Sequence, residues 1–312
     1  MVALSDAASA LTGYRHPAYA DALSEYGQPV FLPQCGGSAL ERQIPGHAAV
    51  DAMGCYPLFA CQDWSALHSD LETLDREWVT LALVTDPFGD FSAKCLETCF
   101  PDVTIPFKQH YVVDLSRPAR DFVIDHHARN ARKALKRVTV EVSQDPLVLL
   151  EDWLSLYDVL VRRHQIRGLS AFSRQSFASQ LQVPGTVAFR ASAEGATVGM
   201  LLWYLMGNVA YYHLGAYSQV GYDLGASFAL FSYAIAHFAE LGVGWLNLGA
   251  GAGIHGTEDD GLSRFKKGWS NGVRTAFFCG RVFDPARYKD IVSRKTGLPK
   301  ADYFPAYRHG EF

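Results

Sequence analysis

The sequence predicts a mixed α/β fold, and three observations predict it. Residues 186–193, 197–206 and 209–217 are apolar, β-rich runs joined by Glu194-Gly195 and Gly207-Asn208, which reads as an antiparallel three-strand meander. Residues 226–241 form one long apolar helical run closed by Gly242. Residues 242–280 then read as strand, glycine-rich turn, short helix and strand. A meander followed by helix, strand, helix and strand is the order of a mixed sheet covered by helices, not of an all-parallel doubly wound sheet.

The first half alternates the same two signals. Residues 16–26 suit a short helix and 29–33 a short strand. Trp64, Leu67, Leu71 and Leu74 recur at helical spacing across 63–75. Residues 78–84 are a strand closed by Thr85-Asp86-Pro87, and 91–100 a helix. A strand at 109–115 precedes a basic helix at 122–137 and a strand at 138–142. Pro146 opens a further helix over 147–164, where a first-turn proline costs no hydrogen bond.

Composition narrows the function classes. With 312 residues, 49% hydrophobic and 19% charged, the chain is long enough for two domains with cores of their own. A net charge of −4 offers no global field for nucleic acid or anionic membrane, so DNA is not an expected partner. No apolar run is long enough to span a bilayer. The six cysteines contain no CxxC pair and the N-terminus has no signal-peptide pattern, so a cytoplasmic protein with free thiols is expected.

Several motifs invite chemistry. Gly251-Ala252-Gly253-Ile254-His255-Gly256 fits a dinucleotide fingerprint, but the acids of Thr257-Glu258-Asp259-Asp260 would repel a pyrophosphate and no long helix follows directly. Gly225-Ala226-Ser227-Phe228-Ala229 is one residue short of a nucleophile elbow and lacks the strand before it. The adjacent His126 and His127 cannot face one metal from a helix, so no metal is expected. Arg129, Arg132, Lys133, Lys136 and Arg137 spread around their helix and read first as a solvated face, with an anionic acceptor as the other use. Tyr211, His213 and Tyr217 alternate on one face of their strand, where His213 could serve as a base. Lys266, near a helix C-terminus, can simply complement the dipole.

Two segments, in this order and spacing, resemble the Fem-type branch of the GNAT acyltransferases: tandem-domain proteins related to peptidoglycan-bridge peptidyltransferases and to acetyltransferases predicted from them. One is Tyr111-Val112-Val113-Asp114-Leu115 with the helix Arg129-Asn130-Ala131-Arg132-Lys133-Ala134. The other is Leu262-Ser263-Arg264-Phe265-Lys266-Lys267-Gly268-Trp269. The likeness covers most of residues 75–285.

The resemblance implies two GNAT-like domains in tandem, 1–145 and 146–312, with the tail from Asp284 packing back on the first. It implies an acceptor cleft between or beside the domains, and acyl-CoA or aminoacyl-tRNA as donor. It makes Lys266 the stabiliser of charge at the transferred acyl group and places Phe265 beside it. The expected reaction is N-acyl transfer from acyl-CoA, as co-substrate, to a small-molecule or peptide amine by direct attack. The alternatives are an aminoacyl-tRNA-dependent peptidyl transfer, which the lack of a coiled-coil arm argues against, and an inactive acyl- or peptide-binding module. His213 is then the second candidate catalytic residue. Phe265, Tyr211, Tyr217, Asn247 and Arg132 are the candidate substrate contacts. Gln219, Gly221, Gly225, Ala226 and Ser227 resemble a relaxed pyrophosphate loop before the long helix, whose N–H groups would face phosphate.

Overall fold

The computed structural model describes residues 11–74, 76–168, 171–251, 260–294 and 303–311. In chain order the elements are α1 (Pro17–Asp21), β1 (Gln28–Leu32), β2 (Gly37–Gln43), β3 (Val50–Gly54), α2 (Leu67–Glu72), β4 (Trp78–Val84), α3 (Ala93–Cys99) and β5 (Val103–Asp114). There follow α4 (Asp125–Ala134), β6 (Thr139–Val142), α5 (Leu150–His164), α6 (Arg174–Gln180), β7 (Thr186–Ala193), β8 (Ala196–Met206) and β9 (Val209–Tyr217). The chain continues through α7 (Gln219–Leu224), α8 (Ala226–Glu240), β10 (Trp245–Asn247), α9 (Gly261–Lys267), β11 (Gly272–Val282) and α10 (Pro285–Arg294).

The chain divides into two compact units that interleave along the sequence. The first comprises Met1–Gly13, Gln109–Ile166 and Gln180–Arg274; the second comprises Tyr14–Lys108, Arg167–Ser179 and Thr275–Phe312. The boundary expected between residues 145 and 146 therefore falls inside the first unit. The reason is strand pairing: β6, before that point, pairs antiparallel with β7, after it, from Val142↔Phe189 to Thr139↔Ser192.

In the first unit β6, β7, β8 and β9 form an antiparallel meander, β10 joins β9 in parallel, and the end of β5 pairs antiparallel with β10. Helix α8 covers one face. Its buried residues Ala226, Ala229, Leu230, Phe231, Ala234, Ile235 and Phe238 follow helical spacing and pack on Trp203, Leu201 and Leu246. From Val198 to Tyr204 strand β8 is buried without alternation, as a strand covered on both faces must be.

In the second unit β1, β2 and β3 are antiparallel neighbours, β4 runs parallel to β3, and the 278–282 part of β11 closes on β4. Strands β2 and β3 carry no clear alternation, and the sequence pattern does not predict them. The segment 303–311 also belongs here. Arg308 Nε and Nη2 donate to the two Asp51 oxygens, each at 2.7 Å, and Nη2 also reaches the Gln43 carbonyl at 2.9 Å.

Candidate active site

In the first unit two parallel strands part company. Strands β9 and β10 pair only from Val209↔Trp245 to Tyr211↔Asn247, yet β9 runs on to Tyr217. Past Asn247 the chain stays on β5 instead: Leu248 N donates to Tyr111 O at 2.9 Å and Tyr111 N to Gly249 O at 3.1 Å. Asn247 sets the departure. Its buried Oδ1 accepts from Gly249 N at 2.9 Å and lies 3.0 Å from His110 Nδ1. The fork so formed is bordered by residues 212–217 and 248–251.

Helix α9 delivers Lys266 to this fork. Asp260 caps the helix, accepting from Leu262 N at 2.8 Å and Ser263 N at 3.0 Å, and its second oxygen accepts from Ser263 Oγ. Gly251 makes room, since a β-carbon there would collide with Ser263 Oγ and the Asp260 carboxylate. Lys266 is 5% exposed. Its Nζ donates to Ala250 O at 2.7 Å and lies 5.4 Å from the Tyr212 ring centroid. Burial pushes its pKa down to about 7, with nearby Asp260 opposing. Lys267, one position on, is exposed.

Phe265 forms the other half of the pair. It packs edge-on against Phe231 and Phe228, with centroids at 5.0 and 5.3 Å, and lies 5.3 Å from His127. Sequence reasoning did not single out His127 as a site residue. It is buried among Phe228, Phe265 and Trp269, and burial, aided by His126, pushes its pKa down to about 4. Gly268 permits the approach, because a β-carbon there would collide with the His127 ring.

A β-bulge separates residues that simple alternation puts together. Leu202 pairs with Leu214 and Trp203 with Tyr212, so one extra residue lies in β9. Tyr212 packs on Trp203 and Phe231 under α8, and Tyr217 joins the same core. His213 is withdrawn from them. Its Nε2 lies 2.9 Å from Gln180 Oε1 and its ring packs on Tyr204, while burial pushes its pKa down to about 3. Lys266 thus neighbours Tyr212, which faces α8 with Trp203, rather than His213 or Tyr217 as expected from the sequence. Tyr211 is buried in the sheet beside Asn247.

The expected pyrophosphate loop is mostly helix. Ser218 caps α7, whose Gln219 donates to Asp223 at 3.0 Å. Gly221 is packed on β8, where a β-carbon would collide with Val198 O. Gly225, at φ +71°, ends α7 and leads into Ala226 and Ser227 at the start of α8. Arg132 is exposed, its Nε reaching only Ala128 O at 3.3 Å, with Arg129, Lys133, Lys136 and Arg137 also exposed around it. Most of the segment 251–256 lies outside the described residues. Among the described residues no helix is long and apolar enough to cross a membrane, and no cluster of three metal-ligating side chains occurs.

Residues 125–267 match the model of the acetyltransferase (GNAT) domain family. No curated protein matches the chain. Among solved structures the chain is similar to FemX, with a TM-score of 0.65 at 14% identity over 93% of this chain and 98% of that one. It is similar to a conserved protein of unknown function from Bacteroides thetaiotaomicron VPI-5482, with a TM-score of 0.57 at 12% identity over 90% and 98%. It is similar also to L-PGS from Bacillus licheniformis, with a TM-score of 0.55 at 15% identity over 91% and 97%. The strands of the β9–β10 fork and the Phe-Lys helix lie within the segment that matches the acetyltransferase (GNAT) domain family, and the chain has a fold like that of FemX.

Proposed function

We propose that the chain transfers an acyl group from acyl-CoA to an amine by direct attack, with Lys266 stabilising the oxyanion. The observation that carries this reading is the buried Lys266 Nζ, held by Ala250 O in the fork between β9 and β10. The amine nitrogen attacks the thioester carbon, and the carbonyl π pair moves onto oxygen. Collapse breaks the C–S bond; the thiolate leaves and takes up the proton released by the amine through water. A donor group fixed at the developing oxyanion is the chief stabilisation such an enzyme supplies. The donor pyrophosphate would meet the first N–H groups of α8, at Ala226 and Ser227. Turnover of acetyl-CoA with a panel of primary amines, followed as free thiol, tests the reading. Release of thiol that depends on both substrates and is lost in Lys266→Ala supports it.

One feature favours a second donor, aminoacyl-tRNA. Helix α4, which carries exposed cations, meets the start of α8 at Ala134 and Gly225, and Arg163 at the end of α5 covers Tyr222 of α7 at 4.2 Å. Such a basic flank suits a phosphodiester chain as well as a pyrophosphate. Under that donor the same attack breaks an ester C–O bond. Competition of aminoacyl-tRNA against acetyl-CoA decides between them.

A further inference from the structure

Strand β9 holds a pair of phenols that the reaction as described does not use. On the α8 side of the bulge, the hydroxyls of Tyr212 and Tyr217 crowd one point: a β-carbon on Gly215 would collide with Tyr212 Oη and stand 3.2 Å from Tyr217 Oη. Tyr217 is only 8% exposed. Neither hydroxyl has a hydrogen-bond partner among the described residues. Tyr212 itself is half-buried. Their surroundings are aromatic and apolar: Tyr217 lies 5.4 Å from Tyr222, and Leu201 Cδ2 lies 2.8 Å from the same absent β-carbon. Lys266 Nζ sits over the ring of Tyr212. The two phenols therefore stand on the residue-212-to-217 arm of the fork, beyond the last β9–β10 pair, with Tyr212 next to the lysine.

We propose that Tyr212 and Tyr217 form a hydrogen-bonding subsite for the acyl group being transferred, their hydroxyls brought together over Gly215, which has no side chain to displace them. The inference rests on reading the fork as the acyl-transfer site. Two phenolic donors within reach of one small polar group select a short acyl or aminoacyl carbonyl over a plain hydrocarbon tail. A long alkyl chain would leave both hydroxyls dry and unbonded, which is costly. Neither residue needs to change charge for this. Burial raises both phenol pKa values, so each remains a neutral donor across the working range.

The test compares ligands with and without the acyl group by calorimetry on the intact chain. One pair is acetyl-CoA and CoA; the other is 3′-alanylamino-3′-deoxyadenosine and 3′-amino-3′-deoxyadenosine. In the pair that binds, the wild type should prefer the acylated member, and Tyr212→Phe with Tyr217→Phe should erase roughly two- to tenfold of that preference, the worth of one or two neutral hydrogen bonds. Affinity for the bare ligand should not move, and the rings are kept, so thermal unfolding should stay near wild type. Gly215→Ala should reduce the preference independently by displacing the Tyr212 hydroxyl. A preference that survives the double Phe variant, or is absent from wild type, overturns the subsite while leaving the transfer reaction standing. Failure of both ligand pairs to bind overturns the transfer reading and the subsite together.

Discussion

Gly249 and Lys266 are fitted to each other: a β-carbon on Gly249 would lie 3.1 Å from Lys266 Nζ, and Gly249 itself holds φ at +76°. Both constraints act on one atom. Gly249→Ala should cost about 1–2 kcal/mol from the left-handed backbone alone. It should also displace the ammonium, so turnover should fall by more than the change in unfolding midpoint explains. Chemical denaturation and initial rates on one preparation check this.

Lys266 and Lys267 should behave differently although they are neighbours. Lys266→Ala should lower kcat by about 10²–10³, the loss typical of one oxyanion donor. Lys267 is exposed, so its replacement by alanine should stay within about 0.5 kcal/mol in stability and leave kcat near wild type. Equal behaviour of the two variants in a steady-state assay would refute the assignment.

The lowered pKa of Lys266 has two consequences for pH. In the unfolded chain the amine titrates at its ordinary value of 10.5, and in the folded protein at about 7. Between those values the unfolded state binds the extra proton, so the destabilisation contributed by Lys266, fully present below about 7, is relieved as pH rises toward 10.5. Lys266→Met should therefore flatten the stability-versus-pH curve over that window. The free-enzyme kcat/KM should carry an alkaline limb near 7 from the same group, because the oxyanion partner must be protonated. Lys266→Arg, whose charge persists, should move that limb upward.

Acid should weaken the fold through two buried histidines. His127 and His213 have pKa values pushed down to about 4 and about 3, against 6.5 when solvated. Below pH 6.5 the unfolded chain takes up protons that the folded chain refuses, so stability falls progressively as pH drops toward those folded values. His213→Gln should remove part of that slope. If His213 is only a core residue, the activity per folded molecule should persist. A pH series of urea midpoints and rates tests both statements.

In the second unit the Arg308–Asp51 pair is fully buried and doubly bonded. Arg308→Leu leaves the Asp51 carboxylate with only the Tyr307 hydroxyl at 3.0 Å and Arg42 at 4.0 Å, and should cost about 3 kcal/mol. Replacing both partners by apolar residues should recover much of that loss, measured by thermal unfolding.

Much of this fold is legible where one periodicity dominates. The meander and the long helix combine strong β-branched or apolar runs with Glu194-Gly195, Gly207-Asn208 and Gly242, and they form within a residue or so of the expected bounds. The short helix bearing Phe265 and Lys266 is equally plain, with its acidic start and basic end. Strands β2 and β3 are hidden because burial at Gly37–Leu40 has no alternation. The α7 segment reads as a loop because Gly221 is a poor helix former; packing on Val198 O is what requires glycine there. Alternation overlooks Tyr212 and groups Tyr217 with Tyr211 and His213, because one bulged residue resets the parity of everything after it, and no local residue type announces it.

Asn247 gives the fork a property that outlasts any particular ligand. By engaging Gly249 N and His110 with its own oxygen, it ends the β9–β10 ladder from within the protein, so the strands stand apart before a substrate arrives. The work of parting them is settled once, during folding. Every later encounter meets a mouth already ajar, and its binding energy goes to recognition rather than to prying the sheet open.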